Sequence, residues 1–281
     1  MPAPGQSAPD PGLVERGRYL ATAANCVGCH TEPGGTGYAG GRALKTPFGT
    51  FYGPNITPHP QAGIGAWSDE DFLRALKRGV SPEGHAYYPA FPYTSFAGIS
   101  DQDALAIKAF LFSLPPSDRQ SRAHDLSFPY SVRLTLWPWR WLYFEPDPPA
   151  APAAAPPEVR RGAYLVEAVG HCGECHTPRN WLGARDQGRK LAGNTQGPEG
   201  DKVPNITPDP ETGLGSWSPE DVIRVLESGL LPDFDAVGGA MGEVVKSTSK
   251  LTPEDRAAIA AYLATLPAVA NDKAKATQPD F

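Results

Sequence analysis

The sequence predicts a mostly α-helical fold built from two tandem copies of one module, joined by a linker rich in proline and alanine. Three observations predict it. First, the chain repeats itself. Arg16-Gly17-x-Tyr19-Leu20 returns as Arg161-Gly162-x-Tyr164-Leu165, Pro54-Asn55-Ile56-Thr57-Pro58 as Pro204-Asn205-Ile206-Thr207-Pro208, and Gly65-Ala66-Trp67-Ser68 as Gly215-Ser216-Trp217-Ser218. A period this long marks duplicated domains rather than a solenoid. Second, apolar residues recur at helical spacing in both halves. Third, the 32 prolines and 30 glycines among 281 residues favour loops over strands. The expected domains are residues 11–145 and 158–270, and the intervening 146–157 is a Pro/Ala run that favours extended polyproline II.

Each module reads as three helices in order. The first spans about 13–24 and again 159–169; Gly17 and Gly162 suit a close crossing with the module's last helix. A shorter middle helix starts at Ser68-Asp-Glu-Asp and Ser218-Pro-Glu-Asp, both N-cap patterns, and ends at Gly79 and Gly229, each placed as a C′ glycine. The last helix spans about 100–114 and 252–266. It opens on Ser100 with Asp103 and on Thr252-Pro253 with Asp255, and Pro115 and Pro267 stop it. Leu105, Phe110, Leu111 and Leu114 form one apolar stripe; Ile259, Tyr262, Leu263 and Leu266 form its counterpart. The polar tail from Asn271 to Phe281 is expected to be loosely held.

Chemistry enters with Cys26-Val27-Gly28-Cys29-His30 and Cys172-Gly173-Glu174-Cys175-His176, which use all four cysteines of the chain. C-x-x-C-H is the attachment signature of c-type haem. Two thiols at this spacing reach the two vinyl groups of one porphyrin, and the adjacent histidine becomes the proximal iron ligand. A structural zinc would not explain the histidine after each pair, nor the 146-residue offset from one pair to the other. A thioredoxin-like motif needs a βαβ setting that is not visible here, and two disulfides also ignore the histidines. The chain therefore reads as a di-haem cytochrome c, two class I cytochrome c-like domains carrying two covalently attached haem c. Cys26, Cys29, Cys172 and Cys175 bind the cofactors; His30 and His176 ligate the irons.

The formal net charge of −6 argues against nucleic acid as a partner. The longest aromatic-apolar run, Leu134 to Phe144, contains Pro138 and Arg140 and is too short to span a membrane. It is expected to pack between the domains, the alternative being an exposed docking face. The Pro/Ala-rich start lacks a basic-then-apolar secretion layout, so the chain reads as a mature periplasmic form whose signal has been replaced by Met1.

The sixth ligands are where the halves diverge. Met241, in Gly238-Gly239-Ala240-Met241-Gly242, is the one methionine besides Met1, and His/Met ligation raises the reduction potential. Its counterpart in the first module is Phe91, in Tyr88-Pro89-Ala90-Phe91-Pro92-Tyr93, which cannot ligate iron. His85 is the nearest strong ligand and is assigned there. His59, His124 or an open iron shielded by Phe91 are the competing choices. His171 lies too close to the attachment string to reach the far face and reads as a surface or propionate-side residue. Pro54 and Pro204 are candidates to give the proximal histidines a carbonyl acceptor. Trp67, Trp217, Arg42, Lys45 and Arg179 are candidates to meet propionates.

These residues, with His171 to Asn180 and the two Asn-Ile-Thr-Pro loops, resemble the multi-haem cytochrome c subunits of bacterial periplasmic alcohol, gluconate and aldehyde dehydrogenases. The resemblance covers nearly all of residues 13–267 and maps the family's methionine ligand onto Met241. It implies an electron carrier, not an enzyme. A dehydrogenase would be the donor and a cytochrome or oxidase the acceptor, with electrons running from a low-potential haem 1 to a higher-potential haem 2. Family subunits often carry three modules and a membrane tether, so this chain is expected to be a soluble carrier or a shorter relative with no integral membrane segment. The rival reading is a haem enzyme acting on peroxide, thiosulfate or a nitrogen oxide at an open haem 1. It lacks a spare cysteine and an identifiable distal acid-base group. A purely structural role for the haems ranks last.

Overall fold

The computed structural model describes residues 10–148, 151–197 and 200–276. Met1, positions 149–150 of the linker and the end of the tail at 277–281 lie outside the described residues. Module 1 runs through α1 (Pro11–Ala23), the attachment turn α2 (Cys26–Cys29), the hairpin β1 (Ala43–Thr46) and β2 (Gly49–Tyr52), α3 (Asp69–Arg78), the short α4 (Tyr93–Phe96) and α5 (Asp101–Phe112). After β3 (Asp125–Leu126) and α6 (Leu136–Tyr143), module 2 follows as α7 (Pro157–Ala163), the attachment turn α8 (Gly173–His176), α9 (Pro219–Ser228), α10 (Gly239–Thr248) and α11 (Pro253–Ala264).

The local signals act as expected. Ser68 and Ser218 close full capping boxes with Asp71 and Asp221, and Gly79 and Gly229 end α3 and α9 at φ 59° and 77°. Ser100 and Thr252 accept the amides of Asp103 and Asp255. The crossing of first on last helix is backbone-tight. A Cβ on Gly17 would lie 1.8 Å from the Ala106 carbonyl oxygen, and one on Gly162 would lie 1.9 Å from that of Ala258. One apolar core runs through both modules, joining Leu20, Ile107 and Leu111 to Leu165, Val169, Ile259 and Leu263.

Two features depart from the helical expectation. A three-stranded sheet of order β1-β2-β3 sits on module 1, with Leu44 opposite Phe51 and Thr50 opposite Asp125. The first helix of module 2 changes at Tyr164–Val169 into a π-helical stretch. The sequence explains it: five residues separate Leu20 from Cys26, but six separate Leu165 from Cys172. The wider turn absorbs the extra residue.

The aromatic run packs on one side only. Leu136 is buried, Trp139 donates its indole N–H to the Leu182 carbonyl at 3.0 Å, and Arg140 reaches Gly79. Trp141, at 85% exposure, and Leu134, Trp137 and Leu142 face outward, so only part of the run packs as expected between the domains. The tail is also tighter than expected through residue 276. Asn271 donates to the Ala192 carbonyl at 2.6 Å, and Asn205 N–H donates to that of Ala274 at 2.7 Å.

Candidate haem sites

Each attachment string follows a residue in the left-handed region, Asn25 (φ 48°) and His171 (φ 42°), which turns the chain off its first helix. The cysteines of each string then fall on one helical turn. Cys26 and Cys172 pack against the apolar core.

The proximal histidines are oriented by identical contacts. His30 Nδ1 lies 2.8 Å from the Pro54 carbonyl oxygen and His176 Nδ1 lies 2.8 Å from that of Pro204. A carbonyl accepts only, so Nδ1 carries the proton and Nε2 keeps its lone pair for iron. Burial lowers both imidazoles, which favours the neutral ligating form. The buried Asn55 and Asn205 hold the two carbonyls in place. Each side-chain oxygen accepts the amide of Thr57 or Thr207 at 2.9 Å, and each side-chain NH2 donates to the segment after the last helix, at Ser117 and Arg119 or at Val269. Four thiols in pairs, each pair followed by a histidine in the correct tautomer, fit two covalent haems.

The remaining histidines do other work. His59 Nδ1 accepts the amides of Gln61 and Ala62, as Asp209 accepts those of Glu211 and Thr212 in module 2. His124 Nδ1 accepts the Tyr52 amide, and its ring is wedged between Phe51 and Tyr88. Both neutral rings therefore carry their proton on Nε2. His171 is not a surface residue: its ring lies edge-on to Phe96 and its Nε2 donates to the Ala24 carbonyl at 3.2 Å, across the module boundary. His85 is exposed at a turn closed by Ser81, where Asp235 stands in module 2 closed by Leu231. Met241 sits half-buried on the first turn of α10.

Arg179, a candidate for a propionate, is instead spent on Glu174, at 2.6 Å. Glu174 also accepts from Thr94 at 2.9 Å and Ser95 at 2.8 Å and lies 3.5 Å from Arg185. Burial pushes its carboxyl up, but the two guanidiniums and these hydrogen bonds overcome it and hold it at about 2. The second attachment turn is thus pinned to module 1, just beyond Phe91. Nothing in the single sequence marked this Glu as inter-modular, since it occupies a variable position of the motif.

The Cytochrome c family model matches residues 14–115 and 159–267, one match per module. The chain belongs to the cytochrome c family. It is 49% identical over 264 residues to a "Diheme cytochrome c-type" protein of Cereibacter sphaeroides, covering 92% of this chain and 87% of that one. It is 41% identical over 274 residues to the "Alcohol dehydrogenase (quinone), cytochrome c subunit" of Gluconobacter oxydans, covering 94% of this chain and 57% of that one. It is 40% identical over 280 residues to the "Gluconate 2-dehydrogenase cytochrome c subunit" of Pantoea cypripedii, covering 95% and 63%. Against these two subunits the chain spans a little over half their length. The protein is an electron-transfer cytochrome with two covalently bound haem c groups.

Proposed function

We propose that this chain carries electrons in the periplasm from a dehydrogenase donor to a downstream cytochrome or oxidase, entering at module 1 and leaving at module 2. The relatives named as dehydrogenase cytochrome subunits support the donor class. The observation that carries the reading is the contact of the two halves: the Cys175 side of one attachment turn, through Glu174, is hydrogen-bonded to Thr94 and Ser95 beside the sixth-ligand loop of the other. That sets the second attachment turn directly against module 1.

When bound, each haem supplies a one-electron couple. The chain does the rest. Cys26, Cys29, Cys172 and Cys175 would anchor the porphyrins, and His30 and His176, oriented by Pro54 and Pro204, would each ligate an iron. Met241 takes the second position in module 2. A thioether favours ferrous iron and raises the potential. Module 1 has Phe91 at that place, so its couple lies lower and the downhill direction is from module 1 to module 2. Among the described residues no helix is long and apolar enough to cross a membrane.

A redox titration of the holoprotein tests this. Two resolved couples are expected, and Met241→Ala should lower the higher one and leave the other in place. Coincident couples, or a high couple untouched by the substitution, would overturn it.

A further inference from the structure

The sixth-ligand loop folds alike in both modules. Tyr87 N–H donates to the Gly79 carbonyl at 2.8 Å, as Val237 N–H does to that of Gly229 at 2.9 Å. The same 150-residue offset pairs Phe91, in the turn before α4, with Met241, on the first turn of α10. Phe91 is half-buried against the core, with its ring 5.8 Å from those of Tyr87 and Phe96. Module 1 therefore puts hydrocarbon where module 2 puts sulfur.

Among the described residues no histidine or ion-paired lysine makes up for it. The chain has six histidines. Two are proximal. His59 and His124 hold their Nε2 protons because backbone amides occupy Nδ1, so neither has a lone pair to give. His171 is committed to Ala24. His85 is exposed in the place of Asp235, a position with no ligating role in the sister module. Of the nearby tyrosine hydroxyls, one is directed elsewhere. That of Tyr88 donates to the Tyr130 carbonyl at 2.9 Å, while that of Tyr93, buried without a hydrogen-bond partner, belongs to a ring that stacks under the Arg140 guanidinium, 5.0 Å from its centroid. Lys77 and Lys108 are in ion pairs with Asp101 and Asp69.

We infer that module 1 offers its haem no sixth protein ligand, and that the aromatic wall around Phe91 makes this face a binding site for a small uncharged diatomic molecule. This replaces the expectation of His85 and rests on the electron-transfer reading above. The wall sets the ligand class. The rings of Phe91 and Phe96 present no donor or cation, so the side they line favours a neutral diatomic over a hydrated anion. Module 2, closed by Met241, has no such site.

Carbon monoxide is the probe, added to the dithionite-reduced holoprotein, with haem counted separately as the pyridine complex. One CO per two haems is expected. Phe91→Met should reduce uptake to near zero and add a methionine–iron charge-transfer band in the oxidised spectrum. Phe91→Leu, which restores no ligand, should keep uptake at one. Met241→Ala should raise it to two. Two haems with no CO uptake, uptake unchanged by Phe91→Met, or uptake gained on His85→Ala would overturn the inference and leave electron transfer standing. Fewer than two haems per chain would overturn both.

Discussion

Tyr19 of module 1 donates its hydroxyl to Asp255 of module 2 at 2.5 Å, and Tyr164 of module 2 returns the same bond to Asp103 of module 1 at 2.6 Å. Each carboxylate also takes its own module's arginine, Arg16 at 2.5 Å and Arg161 at 2.7 Å. The hydroxyls complete the exchange by accepting the amides of Thr252 and Ser100. The halves are thus docked about an approximate two-fold axis by one contact used twice.

Tyr19→Phe and Tyr164→Phe should each destabilise the holoprotein by about 2 kcal/mol, the range for a hydrogen bond to an ionised group. Arg161 links the two contacts, since it pairs with Asp255 at 2.7 Å and lies over the Tyr164 ring at 5.9 Å, so the loss in the double variant should depart from the sum. Denaturant unfolding followed by circular dichroism checks both figures. A null effect of either single change would show that the contact contributes nothing.

The same contacts set an acid limit. Burial pushes Asp103 and Asp255 up, but their arginine and tyrosine partners outweigh it and hold both below the usual carboxylate range. A carboxyl with a depressed folded value contributes stability that is complete above its unfolded pKa, about 4. That contribution is lost as pH falls from there through the lower folded value. The melting temperature should be flat near neutrality and drop below about pH 4. Asp255→Asn should give a shallower drop, measured by thermal melts across pH.

Gly17→Ala should be far more harmful than its size implies. The new methyl would overlap the Ala106 carbonyl, which is backbone and cannot step aside without opening the helix crossing. A loss of about 3 kcal/mol or more is expected, at the upper end for overpacking. The same substitution at Gly12, exposed near the start of α1, should be nearly silent by comparison. Paired urea titrations separate the two.

Asn205→Ala removes the post that carries the Pro204 carbonyl. It strips the Thr207 amide of its acceptor in a fully buried setting and frees the loop from Val269. About 3 kcal/mol of stability should be lost, from at least two buried hydrogen bonds. The proximal ligand of module 2 should also become heterogeneous, visible as a broadened low-spin signal in electron paramagnetic resonance.

Much of this was legible in the sequence because it is local or repeated. The C-x-x-C-H strings, the Ser-x-x-Asp caps and the C′ glycines each act within a few residues, and duplication doubles every signal. The glycine at each helix crossing was readable for the same reason. What escaped depends on distant partners. The proximity of His85 to Phe91 along the chain made it a candidate ligand, but the turn closed by Ser81 leaves it exposed; Asp235 at the sister position was the available warning. His171 was placed at the surface, and only the packing of Phe96 and Ala24 shows it inside the boundary. The sheet was missed because β3 has two residues and pairs with a hairpin over seventy positions earlier.

The reciprocity of the tyrosine–aspartate exchange has a structural consequence beyond one chain. A surface that each half reads on the other is self-complementary, and nothing in it records which molecule supplies the second half. What keeps the partners on the same chain is the tether, which raises their mutual concentration far above that of any neighbour. Shorten it until the halves no longer meet, and the identical bonds are satisfied between molecules instead, as a closed exchanged pair carrying four haems.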